Sequence, residues 1–250
     1  MKTIDQYWII GLAKVIYYRF ILKVNWVPSF NLVTKIYGAN VNGVQIHFKD
    51  CPFFDIEFAL LDYINNLSPV SSTTFIDAGS FMGTFAIYIA KLSNQNLVVA
   101  LEPDPDNYKK LLQNIRLNKL ANVLPFNLGL WKTDTKLKFD PSGSEISSIP
   151  FEAFKKNLLQ ISTITINSLR KRIARKIDYI KMDIEGAEIE ALQGATKCIQ
   201  KDHPKFVIAT YHIRDGSMTK IRVEKILKKY YSKVKSINSK QLITTAQQEA

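Results

Sequence analysis

Residues 73–92 read TTFIDAGSFMGTFAIYIAKL. Positions 73–78 are a short apolar run rich in β-branched side chains, 79–83 are a turn bracketed by Gly79 and Gly83, and 84–92 carry helical spacing. A strand, a glycine turn and a helix in that order open a βα unit of a mostly parallel sheet. Glycine at such a turn lets the backbone approach a ligand, and the helix start beyond it offers unpaired amide donors. Plain α/β crossovers use the same turn, so the pattern decides the fold before it decides a site.

The next strand, residues 96–101, ends in Glu102, nineteen residues beyond Gly83. An acid at that distance can accept both hydroxyls of an adenosine ribose, which is the logic of the dinucleotide fingerprint. Two features depart from that fingerprint. The turn is not GxGxxG, and Asp77 puts a carboxylate at the end of the first strand, where it suits a cation better than a pyrophosphate. Together they favour S-adenosylmethionine, which carries a sulfonium and an ammonium and no phosphate, over a nicotinamide dinucleotide. Gly79, Ser80 and Gly83 then form the cofactor turn, Asp77 and Glu102 supply its acids, and Asn127, near the end of the strand at 122–130, is placed to meet the adenine edge. The competing structural roles are a helix cap for Asp77 and a cap before Pro103 for Glu102.

The same rhythm continues with a helix over 107–120, a polar stretch at 132–148 broken by Pro141 and Gly143, and a strand at 161–166. A basic segment, 170–176, leads to the strand 177–184 and the sequence Lys181-Met-Asp183-Ile-Glu185-Gly-Ala-Glu188, after which 188–199 form an amphipathic helix. Three carboxylates and a lysine at the carboxyl end of a central strand stand where open α/β sheets bind ligands. Packing like charges so closely gains a fold little and perturbs their protonation, which marks Asp183 and Glu185 as functional candidates. Glu188 has an alternative role as a charge favoured at a helix N-terminus, and Lys181 as the partner of a buried acid. His212 closes the run 206–212 and is the only one of three histidines at the carboxyl end of a strand.

In this order, Asp77-Ala-Gly79-Ser80-Phe81-Met-Gly83, Glu102-Pro103 and Lys181-Met-Asp183-Ile-Glu185-Gly186-Ala-Glu188, followed by Leu192-Gln-Gly194-Ala195, resemble the FkbM family of S-adenosylmethionine-dependent methyltransferases over roughly residues 73–212. The third block is the most distinctive. The resemblance implies an α/β, Rossmann-like class I methyltransferase fold, with a mostly parallel seven-stranded sheet flanked by helices, and S-adenosylmethionine as cofactor. It also implies O-methylation of a hydroxyl on a sugar, a glycolipid or another small molecule. The family's first motif reads DxGANxG, and Ser80-Phe81 replace its Ala-Asn, which leaves open the contact that an Asn at 81 would make. A His just after the fifth strand is a further family feature, matched by His212. Transfer to a hydroxyl needs the acceptor aligned and its proton removed, so Asp183, Glu185 and His212 are the candidate catalytic residues. A divalent ion on Asp183 and Glu185 is another way to acidify the hydroxyl, although no other feature of the sequence supports one.

The 250 residues are 46% hydrophobic and 22% charged, with ten Gly and nine Pro. That suffices for one large α/β domain or two small ones and excludes a disordered, fibrous or repeat protein. A change of texture at Ser68-Pro69 divides an N-terminal helical and hairpin extension, residues 1–70, from the methyltransferase domain, 71–250. Within the extension a hairpin is expected around Gly43 and a helix over 54–65. Residues 7–27, YWIIGLAKVIYYRFILKVNWV, are apolar and aromatic, but Lys14, Arg19 and Lys23 leave no uncharged run near the roughly 20 residues a spanning helix needs. Two readings stay open: a helix packed on the main domain, or a basic helix lying in a membrane interface. Cys51 and Cys198, without CxxC spacing, argue against a thiolate metal site and for a reducing, cytoplasmic compartment, with peripheral membrane contact under the second reading.

The net charge is +12, and residues 170–250 hold eighteen basic groups against nine acidic ones. Such a field favours anionic partners, acidic or lipid-linked glycans among them, without fixing the fold. The rival enzyme is an RNA methyltransferase using this basic C-terminal surface. It lacks a Pro-Pro-Tyr-type motif and an added RNA module, so nucleic acid is not the expected partner. A non-catalytic interaction module that keeps the fold is the rival outside enzymes, and it rests on Phe81. Acceptor choice is expected to depend on the first 70 residues and the insertion at 132–160.

Overall fold

A computed structural model describes residues 6–67, 70–140 and 158–248. Helix α1 (residues 6–21) widens to π geometry over Tyr17–Ile21 and leads into an antiparallel sheet of β1 (Val27–Asn31), β2 (Ile36–Val41) and β3 (Val44–Phe48). Asn42 and Gly43, at φ 50° and 84°, make the two-residue turn between β2 and β3, the Asn-Gly pair that a right-twisted hairpin favours. Helix α2 (residues 53–67) follows, with a π stretch at Ile56–Leu60.

The chain then alternates β4 (Thr74–Ala78), α3 (Thr84–Leu92), β5 (Leu97–Leu101), α4 (Pro105–Leu117) and β6 (Val123–Phe126). Short strands β7 (Gly129–Leu130), β8 (Lys136–Phe139) and β9 (Leu159–Ile164) form a side sheet before α5 (Ile166–Ile173) and β10 (Tyr179–Met182). Helices α6 (Glu188–Gln193) and α7 (Thr196–Asp202), strand β11 (Lys205–Ala209), the small hairpin β12 (Ile213–Arg214) and β13 (Ser217–Met218), helix α8 (Lys220–Leu227), β14 (Lys233–Asn238) and β15 (Leu242–Gln247) complete it. The main sheet has seven strands in the order β14-β15-β11-β10-β4-β5-β6, and β15 alone runs against the others. This is the Rossmann-like, mostly parallel seven-stranded sheet that the resemblance implied.

Several boundaries differ from the sequence reading for physical reasons. The strand expected at 122–130 splits, because β6 is an edge strand that tolerates Pro125 and the chain then turns away to pair β7 with β9. The strand expected at 161–166 ends early, since the Thr165 hydroxyl accepts from Ser168 N at 3.0 Å and caps α5. The helix expected over 188–199 breaks at Gly194, where a Cβ would come within 2.5 Å of the Trp131 carbonyl. Strands β1, β14 and β15 were not anticipated at all.

One apolar core runs from the extension into the main sheet, joining Trp26, Ile46, Phe53, Leu60 and Tyr63 to Phe75, Ile87 and Val207. Buried asparagines tie the same parts together. Asn118 accepts from His47 N and Asn114 from Lys49 N, while the Asn114 amide donates to the Met82 carbonyl at 2.9 Å. Residues 26–67 are therefore packed into the domain they precede, and the expected boundary at Ser68-Pro69 lies outside the described residues, as do 141–157 of the insertion. Helix α1 packs through Gly11, whose missing Cβ leaves room for the Phe30 ring, and exposes Ile9, Ile16, Tyr17, Phe20 and Ile21 by 46–65%. No helix among the described residues is long and apolar enough to cross a membrane.

Candidate active site

The carboxyl ends of β4, β5 and β10 open into a crevice of about 530 Å3, within the range of small-molecule sites. Its first wall is the turn after β4. Gly79 at φ +72°, Phe81 at +49° and Gly83 at +94° turn the chain through left-handed backbone that glycine adopts freely and Phe does not. A Cβ at Gly79 would lie 1.8 Å from the Asp183 carbonyl, so only glycine lets this turn close on the end of β10. Phe81 explains its own oddity: its backbone N–H donates to Glu102 Oε2 at 2.8 Å, a contact that any residue at this position can make. The left-handed φ is what favours Asn there, and the hydrogen bond, with the Lys110 ammonium 5.5 Å from the Phe81 ring centroid, offsets the strain.

Glu102 stands at the end of β5, 4% exposed, on the crevice wall. Oε1 accepts from Asp104 N at 2.9 Å and Oε2 from Phe81 N, so each oxygen keeps a lone pair for a further donor. Burial pushes its carboxyl up to about 7 against the pull of those two amides. Ser80 also lines the crevice, its hydroxyl donating to the Asp77 carbonyl at 2.8 Å.

The structure places Asp77 behind the crevice. It is fully buried, is absent from the crevice wall, and faces Lys181, its direct register partner across β4 and β10, with Nζ at 3.0 Å from Oδ1. Burial raises the Asp77 carboxyl and the lysine beside it works the other way, leaving it above its ordinary value. Lys181 also donates to the Gly79 carbonyl at 2.7 Å and lies 5.2 Å from the Tyr63 ring centroid, so the pair braces the glycine turn from inside. Gly83 and Asn127 are likewise off the wall. A Cβ at Gly83 would meet Leu111 at 2.6 Å, which makes it a packing position, and the exposed Asn127 donates its amide to the carbonyls of Glu102 and Pro103.

The end of β10, beside the glycine turn, holds the second cluster. After β10 the chain turns through Glu185 (φ +53°) and Gly186 (+97°), which brings Asp183 and Glu185 to the rim. His212, just beyond β11 and 7% exposed, sets Nε2 at 3.5 Å from both Asp183 Oδ1 and Glu185 Oε2, and Nδ1 at 2.9 Å from the fully buried Glu188 Oε1. Burial alone would lower the imidazole, but the carboxylates of Glu185, Glu188 and Asp183 outweigh it and hold it well above its usual range. Sequence reasoning missed Tyr63, whose hydroxyl donates to Asp183 Oδ2 at 2.7 Å from α2, 120 residues earlier, and Tyr211 at 3.5 Å from Oδ1. A tyrosine beside His212 was a visible signal; Tyr63 had none.

Residues 77–232 match the family profile described as the methyltransferase FkbM domain. The chain belongs to this family. Among curated relatives, the hexuronic acid methyltransferase AglP of Haloferax volcanii is 30% identical over 137 residues, 54% of each chain. Methyltransferase 1 of Beauveria bassiana is 24% identical over 157 residues, 54% of this chain and 63% of that one. This chain thus matches between half and two-thirds of the length of these relatives. Of solved structures, the methyltransferase FkbM of Methylobacillus flagellatus superposes with a TM-score of 0.52 at 19% identity, covering 71% of this chain and 44% of that one. The precorrin-6y C5,15-methyltransferase of Geobacter metallireducens gives 0.50 at 14%, covering 78% and 96%. These two likenesses establish the Rossmann-like methyltransferase fold.

S-adenosylmethionine is the cofactor of this family, and the donor set fits it. The crevice carries four carboxylates, of Asp55, Glu102, Asp183 and Glu185, against two ammonium groups, of Lys181 and Lys240. Lys181 is neutralised by Asp77 and Lys240 pairs with Glu57, so no basic cradle for a pyrophosphate exists among the described lining residues. An acidic crevice with a buried diol acceptor at Glu102 suits a cationic adenosyl sulfonium.

Proposed function

We propose that this chain transfers a methyl group from S-adenosylmethionine to a hydroxyl of a sugar or sugar-bearing molecule. The observation that carries the reading is that Glu102 and the glycine turn line the same crevice as Asp183 and Glu185, with His212 behind the two carboxylates. Glu102 accepts from the ribose hydroxyls, Gly79 and Ser80 hold the turn against the donor, and the apolar wall of Leu128, Leu130 and Ile161 receives the base. When bound, the cofactor supplies a methyl on a cationic sulfur, already a strong electrophile. The protein's part is to align the acceptor oxygen, exclude water and take up the proton at the Asp183 and Glu185 carboxylates. The Tyr63 hydroxyl holds Asp183 in place for this from α2.

The sugar class is supported by the likeness to a hexuronic acid methyltransferase. A uronic acid offers a hydroxyl and a carboxylate, and the acid-rich rim favours the neutral hydroxyl. The test is transfer of labelled methyl from S-adenosylmethionine to a panel of uronic acid and neutral glycosides. Label in an alkali-stable ether is expected. Label found only as an alkali-labile ester, or on RNA and no glycoside, sinks the reading.

We further propose that α1 rests on an anionic membrane surface and presents the crevice to lipid-linked acceptors. The exposed Ile16, Phe20 and Ile21 share the helix with Lys14 and Arg19, Lys23 follows, and no acidic residue occurs between 6 and 49. The full chain should sediment with phosphatidylglycerol vesicles at low salt and be released when Phe20 and Ile21 are both replaced by Glu. A wild type that stays in the supernatant contradicts this.

A further inference from the structure

Asp183, Glu185 and His212 form a mixed oxygen and nitrogen cluster in which one ligand atom from each lies within 4.8 Å of the others. Two of these side chains come from the turn after β10 and the third from the loop after β11, so the geometry is set by two adjacent parallel strands. Both Nε2 to carboxylate distances, 3.5 Å, are long for charge-assisted hydrogen bonds, which close to about 2.7–2.9 Å. They are close instead to the spacing of neighbouring ligands around a small divalent ion. With bonds of about 2.1 Å, ligands at right angles stand about 3 Å apart and opposite ones about 4.2 Å.

A second observation points the same way. His212 is 93% buried by its 7% exposure, and neither ring nitrogen completes a hydrogen bond of ordinary geometry with the protein. Its Nε2 is aimed between the two rim carboxylates, while the buried Glu188 stands at Nδ1 and also accepts from Gly186 N at 3.1 Å. A carboxylate behind the outer nitrogen of a histidine, fixing its tautomer and ring orientation, is the arrangement that supports ligating imidazoles. Tyr63 occupies Asp183 Oδ2 and so leaves Oδ1 toward His212. Asp183 and Glu185 keep 20% and 22% of their side-chain surface open to the crevice, which leaves the remaining coordination positions to solvent or an acceptor.

We propose that Asp183, Glu185 and His212 bind a divalent cation of the Mg2+ or Mn2+ class, with Glu188 as the positioning residue behind His212. Two carboxylates and one imidazole, with open positions, suit such oxygen-preferring ions better than a soft metal. The inference rests on the reading that the acceptor enters this crevice. The ion would coordinate the acceptor hydroxyl through its oxygen and acidify it, and the O–H proton passes to a carboxylate oxygen of the Asp183 and Glu185 pair as the hydroxyl oxygen takes the methyl.

The experiment is titration of Mn2+ into the chelator-treated full chain, followed by the loss of the free-ion paramagnetic resonance signal, with S-adenosylhomocysteine binding measured on the same samples. The wild type is expected to bind one Mn2+. Asp183→Asn and His212→Ala should abolish binding, and Glu188→Gln should weaken it about 10–100-fold. Unchanged affinity for S-adenosylhomocysteine in the variants shows that they are folded and that the cofactor reading stands apart from this one. Absence of Mn2+ binding by a wild type that binds S-adenosylhomocysteine overturns the cation site alone. Mn2+ binding that survives both Asp183→Asn and His212→Ala overturns it equally.

Discussion

Lys181→Met should lower the stability of the fold by about 3–5 kcal/mol, the usual consequence of removing one partner of a buried ion pair. For a chain of this size that corresponds to a fall of about 6–20 °C in melting temperature. Methionine fills the space of the lysine stem, so the loss reports charge more than volume. Asp77 is left fully buried with its neighbouring ammonium gone. Replacing both residues, Asp77→Leu with Lys181→Met, should recover most of the loss, because well-packed apolar groups often substitute for a buried pair without cost. The pH dependence has a definite sign. The folded Asp77 carboxyl already lies above its unfolded value because of burial, and it climbs further once the lysine is removed. An acid with a raised folded value destabilises the native state above that value and not below the unfolded one. The deficit of Lys181→Met should therefore shrink as the pH is lowered toward about 4. A variant as stable as the wild type at neutral pH would remove the pair from the account of how the glycine turn is held.

Asp183→Asn should cut methyl transfer about 10²–10⁴-fold, the range ascribed to a positioned proton acceptor, and leave affinity for S-adenosylhomocysteine within about twofold. The two effects separate because Asp183 and Glu102 follow different strands, β10 and β5, with β4 between them. Asparagine keeps the shape and an oxygen for the Tyr63 hydroxyl, but it presents no anion to His212 and Tyr211. Tyr63→Phe should act in the same direction with a smaller loss, since it frees Asp183 without discharging it. Full turnover in Asp183→Asn would take the carboxylate out of the chemistry.

The sheet was legible wherever hydrophobic period and turn chemistry agree. Residues 73–92 combine a β-branched run, two glycines that adopt positive φ and a helix start, and the structure follows them within a residue. Strand β14 was hidden by its charge: Lys233 and Lys235 alternate with Val234 along an outer strand, and a basic tail was the simpler reading of that segment. In the site, Glu102, Asp183, Glu185 and His212 lie where chain order and strand ends put them. Asp77 faces inward because residues of a strand alternate between its sides and its partner is set by the register of β4 against β10, which no single strand reveals. Tyr63 reaches Asp183 only because the extension shares the core of the sheet, a matter of packing and not of local pattern.

Calorimetric titration of the full chain with S-adenosylhomocysteine, at pH 6 and pH 8, tests the central claim most directly. Burial pushes the Glu102 carboxyl up to about 7, and in its proposed role it accepts ribose hydroxyls in its ionised form. The ionised fraction rises about tenfold across that interval. The account predicts one binding site whose affinity is about tenfold higher at pH 8. A folded wild type that binds no S-adenosylhomocysteine at either pH contradicts it.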